Sequence, residues 1–160
     1  MSKSNIFKFD DFDDVRGKIR IFKNIKNFQL KQLNYSESKK HVIRGMHYQK
    51  KNLINKIIYI THGKILDVLV NIKTKQISYY LLDNKNPMLF IPKDFAHGFQ
   101  VLSGTVKMIY LFDGNYEKVN SIGFNAFDKD LKIKWNKSRK SILSKEDKLL
   151  GSFEFFLEKI

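Results

Sequence analysis

The amino-acid sequence predicts a mostly-β fold, an antiparallel sandwich or barrel with a short helix near its C-terminus. Three observations carry that expectation. From about Phe28 to Phe112, short apolar runs rich in β-branched and aromatic residues alternate with turn signals. Only two prolines and eight glycines occur, and no Ser/Gly/Pro-rich linker divides the chain. A helical pattern opens only late, at Leu143 to Leu150, behind the candidate cap Ser144.

Each run has its own boundary. Lys56 to Thr61 stops at His62-Gly63, and Lys64 to Asn71 follows at once. Gln76 to Leu82 ends in the polar turn Asp83-Asn84-Lys85-Asn86-Pro87, after which Met88 to Pro92, Gly98 to Leu102 and Val106 to Phe112 complete the set. At 160 residues a single domain, 1–160, is expected, large enough to bury a core without staples.

Composition removes several classes of function. With no cysteine, disulfides, thiolate metal sites and cysteine nucleophiles are excluded. No apolar run reaches the length of a membrane span, and Met1 to Lys8 lacks the apolar stretch of a secretory leader, so no membrane partner and a cytoplasmic location are expected. The formal charge of +14 is spread along the chain, mostly as lysine. That pattern predicts a solvated basic surface, able to steer an anionic ligand. Nucleic acid is not expected as a partner, because it needs a clustered basic face with exposed aromatics.

The chemistry concentrates in two segments, Arg44-Gly45-Met46-His47-Tyr48-Gln49 and Ile91-Pro92-Lys93-Asp94-Phe95-Ala96-His97-Gly98-Phe99. Each sets a histidine beside a glycine in a strand-like, aromatic-rich run, an expensive place for a polar ring without a partner or a task. Lys56, Asp67 and Tyr110 also fall in expected strands. Alternation places Lys56 with Ile58 and Ile60, and Asp67 with Ile65 and Leu69, so both point inward beside apolar neighbours. Arg44 and His47 are three apart and belong on opposite faces of an ideal strand. They share a site only if the strand bulges, and Gly45 is where it can.

A metal site in a β-barrel needs about three or four convergent ligands. His47 is followed two residues on by Gln49, no glutamate lies between there and the next strand, and Lys56 would repel a cation from a His47/His97/Asp67 set. The expectation is therefore no metal and no cofactor. Proton transfer beside a ketone fits better: it needs a base near neutral pKa, groups that stabilise an enolate, and an acid that returns the proton. His47 suits the base; Lys56, Arg44 and His97 suit the enolate oxygen; Tyr110 suits return from the opposite face.

At these residues the chain resembles the dTDP-4-dehydrorhamnose 3,5-epimerase family, cupin-fold enzymes of nucleotide-sugar metabolism. The two histidine segments carry the resemblance, together with Lys56 to Lys73 containing Gly63 and Asp67, then Val101-Leu102-Ser103, Ile109-Tyr110 and Tyr116. The family implies a cupin-like jelly roll and a metal-independent epimerase acting on a nucleotide-linked 4-keto-6-deoxyhexose, at C3 and C5 or at C3 alone. It implies His47 as base, Tyr110 as acid and Asp147 as the carboxylate behind the base. Lys56 and Arg44 match enolate-stabilising, substrate-contacting positions, and His97 with Asp67 a supporting pair. Arg16, Gln32, Asn34 and Tyr116 match substrate contacts, with Arg16 at the pyrophosphate and the Gln32/Asn34 pair near the nucleotide. It further implies homodimers that exchange N-terminal strands. Ser144-x-x-Asp147 is also a capping-box pattern, which gives Asp147 a purely structural alternative. The alternative functions are a cupin-class 3,4-ketoisomerase, or a catalytically silent cupin that binds nucleotide sugars.

Overall fold

The structure is a computed structural model, which describes residues 5–23, 27–51, 53–136 and 140–160. Residues 1–4, part of the stretch expected to lack a leader, lie outside it. Strands β1 (Asn5–Ile6), β9 (Met88–Ile91), β6 (Lys56–His62), β11 (Thr105–Phe112) and β4 (Gln32–Lys39) form one antiparallel sheet in that order. A second sheet runs β12 (Ser121–Gly123), β5 (Ile43–Gln49), β10 (Phe95–Val101), β7 (Ile65–Asn71), β8 (Ile77–Leu82). Strands β2 (Phe9–Asp14) and β3 (Gly17–Phe22) make a separate hairpin. The mostly-β, cupin-like jelly roll expected from the sequence is the fold.

The inner faces of the two sheets enclose one core, built by Ile58, Ile60, Ile65, Leu69, Leu89, Ile91, Phe99, Val101, Val106 and Met108 among others. Period-two alternation puts these residues on one face of each strand. The rows change character along the barrel. On β6 the buried series runs Ile60, Ile58, Lys56; on β11 the inward series runs Val106, Met108, Tyr110, Phe112. One end is therefore filled with hydrocarbon and the other is lined with polar groups.

Strands β5, β10 and β7 are buried on both faces, because the chain beyond β12 covers the outside of the second sheet. Phe124, Phe153 and Phe156 pack there against Met46, Tyr48, Val68, Val70 and Ala96. The late helical pattern resolves into two short helices, α1 (Lys145–Lys148) and α2 (Phe153–Leu157). The serines Ser144 and Ser152 each cap one by accepting the N–H three residues on. The expected Leu143–Leu150 helix is thus shorter, and α2 was not anticipated. Strand β10 also begins at Phe95, ahead of the expected Gly98, since Phe95, Ala96 and His97 pair with Asn71, Val70 and Leu69.

Candidate active site

The polar end of the barrel opens into a cleft of about 290 Å³. Its wall on the first sheet is Asn34 and Ser36 from β4, Lys56 from β6, and Tyr110 and Phe112 from β11. Opposite lie Arg44 and His47 from β5 and His97 and Phe99 from β10, with Tyr116 at the rim.

Arg44 and His47 face the same cavity because β5 carries a bulge. His97 pairs with His47 and Phe99 with Arg44, so three steps of β5 span two of β10. Glycine is required on both sides of this irregularity. Gly45 has φ +130°, and a Cβ there would lie 2.6 Å from Gly98 Cα and 3.0 Å from the His97 carbonyl. A Cβ on Gly98 would lie 2.6 Å from Met46 Sδ. The glycine beside each histidine lets the two strands approach closely enough to bring both rings to one cleft.

Two His–Asp pairs result. The Nε2–H of His47 donates to Asp147 Oδ1 at 2.7 Å. The carboxylate can only accept, which leaves Nδ1 as the basic nitrogen of a ring 41% exposed at the cleft. Asp147 stands on α1, where its backbone N–H donates to Ser144 Oγ at 2.9 Å. The Asp147 backbone thus serves the cap while its carboxylate bonds the His47 ring. Burial pushes the Asp147 carboxyl up, but the bond to His47, its charge, and the Gly45 and Ser144 hydrogen bonds outweigh this and hold it below the usual range. Deeper in, His97 Nε2–H donates to Asp67 Oδ2 at 2.7 Å, and Asp67 is fully buried. Desolvation raises the Asp67 carboxyl, with His97 and Lys56 opposing.

Lys56 is only 8% exposed. Burial brings its ammonium down to a pKa of about 8, partly opposed by Asp67. Burial raises the Tyr110 phenol above its ordinary value, against the nearby Arg44 charge, so the hydroxyl keeps its proton at neutral pH. Arg44 itself is held by Ser38 Oγ, which accepts from Nε at 3.0 Å. Gln32 and Asn34 join each other at 2.8 Å, and Gln32 Oε1 accepts the Tyr116 N–H at 2.8 Å, fixing the rim.

Gln32, Asp67 and Asp147 stand behind the lining, bonded to Asn34, His97 and His47, but Arg16 is not brought to the cleft of its own chain at all. Arg16 sits at the tip of the β2–β3 hairpin, its side chain 83% exposed and paired with Asp14. Among the described residues, no three of His, Asp and Glu converge in a way that would hold a metal ion. Sequence reasoning missed Ser36, whose buried hydroxyl lines the cleft beside the Tyr110 phenol. The signal was present: Gln32, Asn34, Ser36 and Ser38 are small or amide side chains at every second position of β4. His41 and His62 lie in a turn and at an exposed strand end, away from the cleft.

Comparison with known proteins decides the family. The family model for dTDP-4-dehydrorhamnose 3,5-epimerase matches residues 4–154. The chain belongs to that family. A curated member from Escherichia coli (strain K12) is 37% identical over 131 residues, covering 77% of this chain and 70% of that protein. The solved 3,5-epimerase from Bacillus anthracis, with TDP and PPi bound, superposes with a TM-score of 0.83 at 32% identity over 91% of each chain. That from Legionella pneumophila, in complex with dTDP-4-keto-L-rhamnose, gives a TM-score of 0.84 at 27% identity, covering 91% of this chain and 85% of that one. This family member is an isomerase, a carbohydrate epimerase acting on nucleotide sugars. No helix among its described residues is long and apolar enough to cross a membrane.

Proposed function

We propose that the chain epimerises a dTDP-linked 4-keto-6-deoxyhexose at C3 and C5, without a metal ion, and that the cleft between the sheets is where it does so. The observation that carries this reading is the His47–Asp147 pair at 2.7 Å in the same cleft as Tyr110. His47 takes the proton from the carbon beside the ketone, forming an imidazolium that Asp147 stabilises. The electron pair moves onto the C4 oxygen, and the enolate is met by the Lys56 ammonium and the Arg44 guanidinium. Tyr110 delivers its proton to the opposite face of that carbon, which inverts the centre; the phenolate recovers a proton from solvent or the imidazolium. The C5 carbon is also adjacent to the ketone, so the same groups serve both centres.

The His97–Asp67 pair supports the floor of the cleft, and Gln32, Asn34 and Tyr116 form the rim that receives the nucleotide. Arg16 serves the pyrophosphate from a second copy of the chain. Supporting this, the β2–β3 hairpin that carries it presents Phe12, Val15 and Ile19 to solvent, while Leu33 and Tyr35 are exposed on the outer face of β4. Homodimerisation with exchanged N-terminal strands would cover these residues and complete the site. We place the activity in the cytoplasm, in sugar supply for polysaccharides.

Incubation with dTDP-4-keto-6-deoxyglucose in D₂O tests the reading by mass. Incorporation of two deuterons is expected, and EDTA leaves it intact. A single deuteron would restrict the enzyme to C3; unchanged mass, or loss on chelation, would overturn the proposal.

A further inference from the structure

Just outside the cleft, the ends of three strands are tied by one asparagine. Lys56 opens β6 and is paired on one side with Phe112, the last residue of β11, and on the other with Ile91, the last of β9. One step beyond this row, Asn55 N–H donates to Asp113 Oδ1 at 2.7 Å, and Asn55 Nδ2 donates to Asp113 Oδ2 at 2.6 Å. The remaining atom of the amide is used as well: Asn55 Oδ1 accepts the Lys93 backbone N–H at 3.0 Å. The Asp113 N–H returns a longer bond to the Asn55 carbonyl, at 3.4 Å. The β6, β9 and β11 ends are thus closed by side chains where the ladder stops.

The placement matters because of what Lys56 is. A lysine at the first residue of a strand has a four-carbon stem and water within reach, and its ordinary course is to swing the ammonium outward. Here it is buried instead, facing Asp67 of β7, His97 of β10, Tyr110 of β11 and Arg44 and His47 of β5, while its β9 neighbour Ile91 carries no charge. A strand end free to fray would relieve the desolvation and empty the cleft of its cation.

We propose that Asn55, through Asp113, is a positioning residue: the clamp holds the start of β6 so that the Lys56 ammonium stays against the cleft wall. The proposal rests on the reading of Lys56 as the enolate-stabilising cation for its catalytic consequence, but the position of Lys56 can be read without turnover.

The test labels lysine side chains with ¹³C and follows Lys56 by NMR through a pH titration, its signal identified by its absence in Lys56→Met. In the parent, Lys56 titrates near 8. In Asn55→Ala it moves upward, toward an ordinary lysine, and kcat falls roughly 10- to 100-fold, the scale of a small misplacement of a catalytic group. The double variant Asn55→Asp/Asp113→Asn restores every hydrogen bond with amide and carboxylate exchanged and leaves net charge unchanged. It returns both the titration and kcat to about parental values. An unmoved Lys56 titration in Asn55→Ala overturns the clamp, as does a folded double variant that recovers neither property. Full activity in Lys56→Met would instead overturn the role of Lys56 itself, with the titration still deciding whether Asn55 holds it.

Discussion

His47 and Asp147 are a hundred residues apart in sequence and 2.7 Å apart in space. His47→Ala is expected to slow deuterium exchange by about 10²–10⁴-fold, the usual contribution of a positioned base. Asp147→Asn should lower the rate too, yet leave the far-UV spectrum unchanged, because the Ser144 cap uses its backbone N–H. Lys56 makes a different kind of prediction. It titrates at about 8 folded, against 10.5 for an ordinary lysine. Between those values the unfolded chain binds more protons, so stability rises with pH across that window and the burial penalty is full below it. Lys56→Met should therefore be more stable at pH 7 by about 1–3 kcal/mol, part of the penalty being offset by lost attraction to Asp67, and should be nearly inactive. Urea denaturation at pH 7 and at pH 10 checks the sign: the difference between variant and parent shrinks at the higher pH. The identity of these residues was legible in the sequence because polar groups in apolar strands stand out. Their partners were less so, since no local pattern distinguishes a carboxylate that caps a helix from one that also reaches a ring across the fold.

At the scale of the element, the bulged β5 makes the site possible. Alternation alone sends Arg44 and His47 to opposite faces, and Gly45 marked where that rule would fail. What no single strand reveals is the reciprocal Gly98, whose Cα lies against Gly45. Gly98→Ala would place a methyl 2.6 Å from Met46 Sδ and 3.0 Å from the Arg44 carbonyl. Forcing β5 from β10 should cost about 1–3 kcal/mol, read from the denaturant midpoint, and reduce kcat as Arg44 moves relative to His47. A parental midpoint and rate would show that the strands have room to spare. The strands from β6 to β11 were readable because their turns are punctuated and their runs alternate. Helix α2 was not, because five residues give barely one turn of periodicity; packing of Phe153 and Phe156 on Phe124 stabilises it more than propensity does.

Across the whole molecule, the jelly roll separates a hydrocarbon end from a polar end, and the sequence carries that gradient along each inward row. Inter-sheet arrangement was not legible, since pairing β11 with β4 and β6, or β10 with β5 and β7, depends on contacts distant in the chain. Nor does one copy explain its own exposed hairpin. If Arg16 completes the neighbour's cleft, mixing refolded Arg16→Ala and His47→Ala chains should regain about a quarter of parental activity, because half the dimers are mixed and each holds one intact site. Additive residual rates with no recovery would keep Arg16 out of the partner's site.

The position of Asp147 has a consequence for biosynthesis. Every other group assigned to the cleft lies at or before Tyr116, so a ribosome has delivered base, acid and cations well before the carboxylate that supports the base. The base proposed for the chemistry therefore lacks its carboxylate partner until the α1 segment has joined the barrel, the same late stretch of chain that brings Phe153 and Phe156 onto the second sheet.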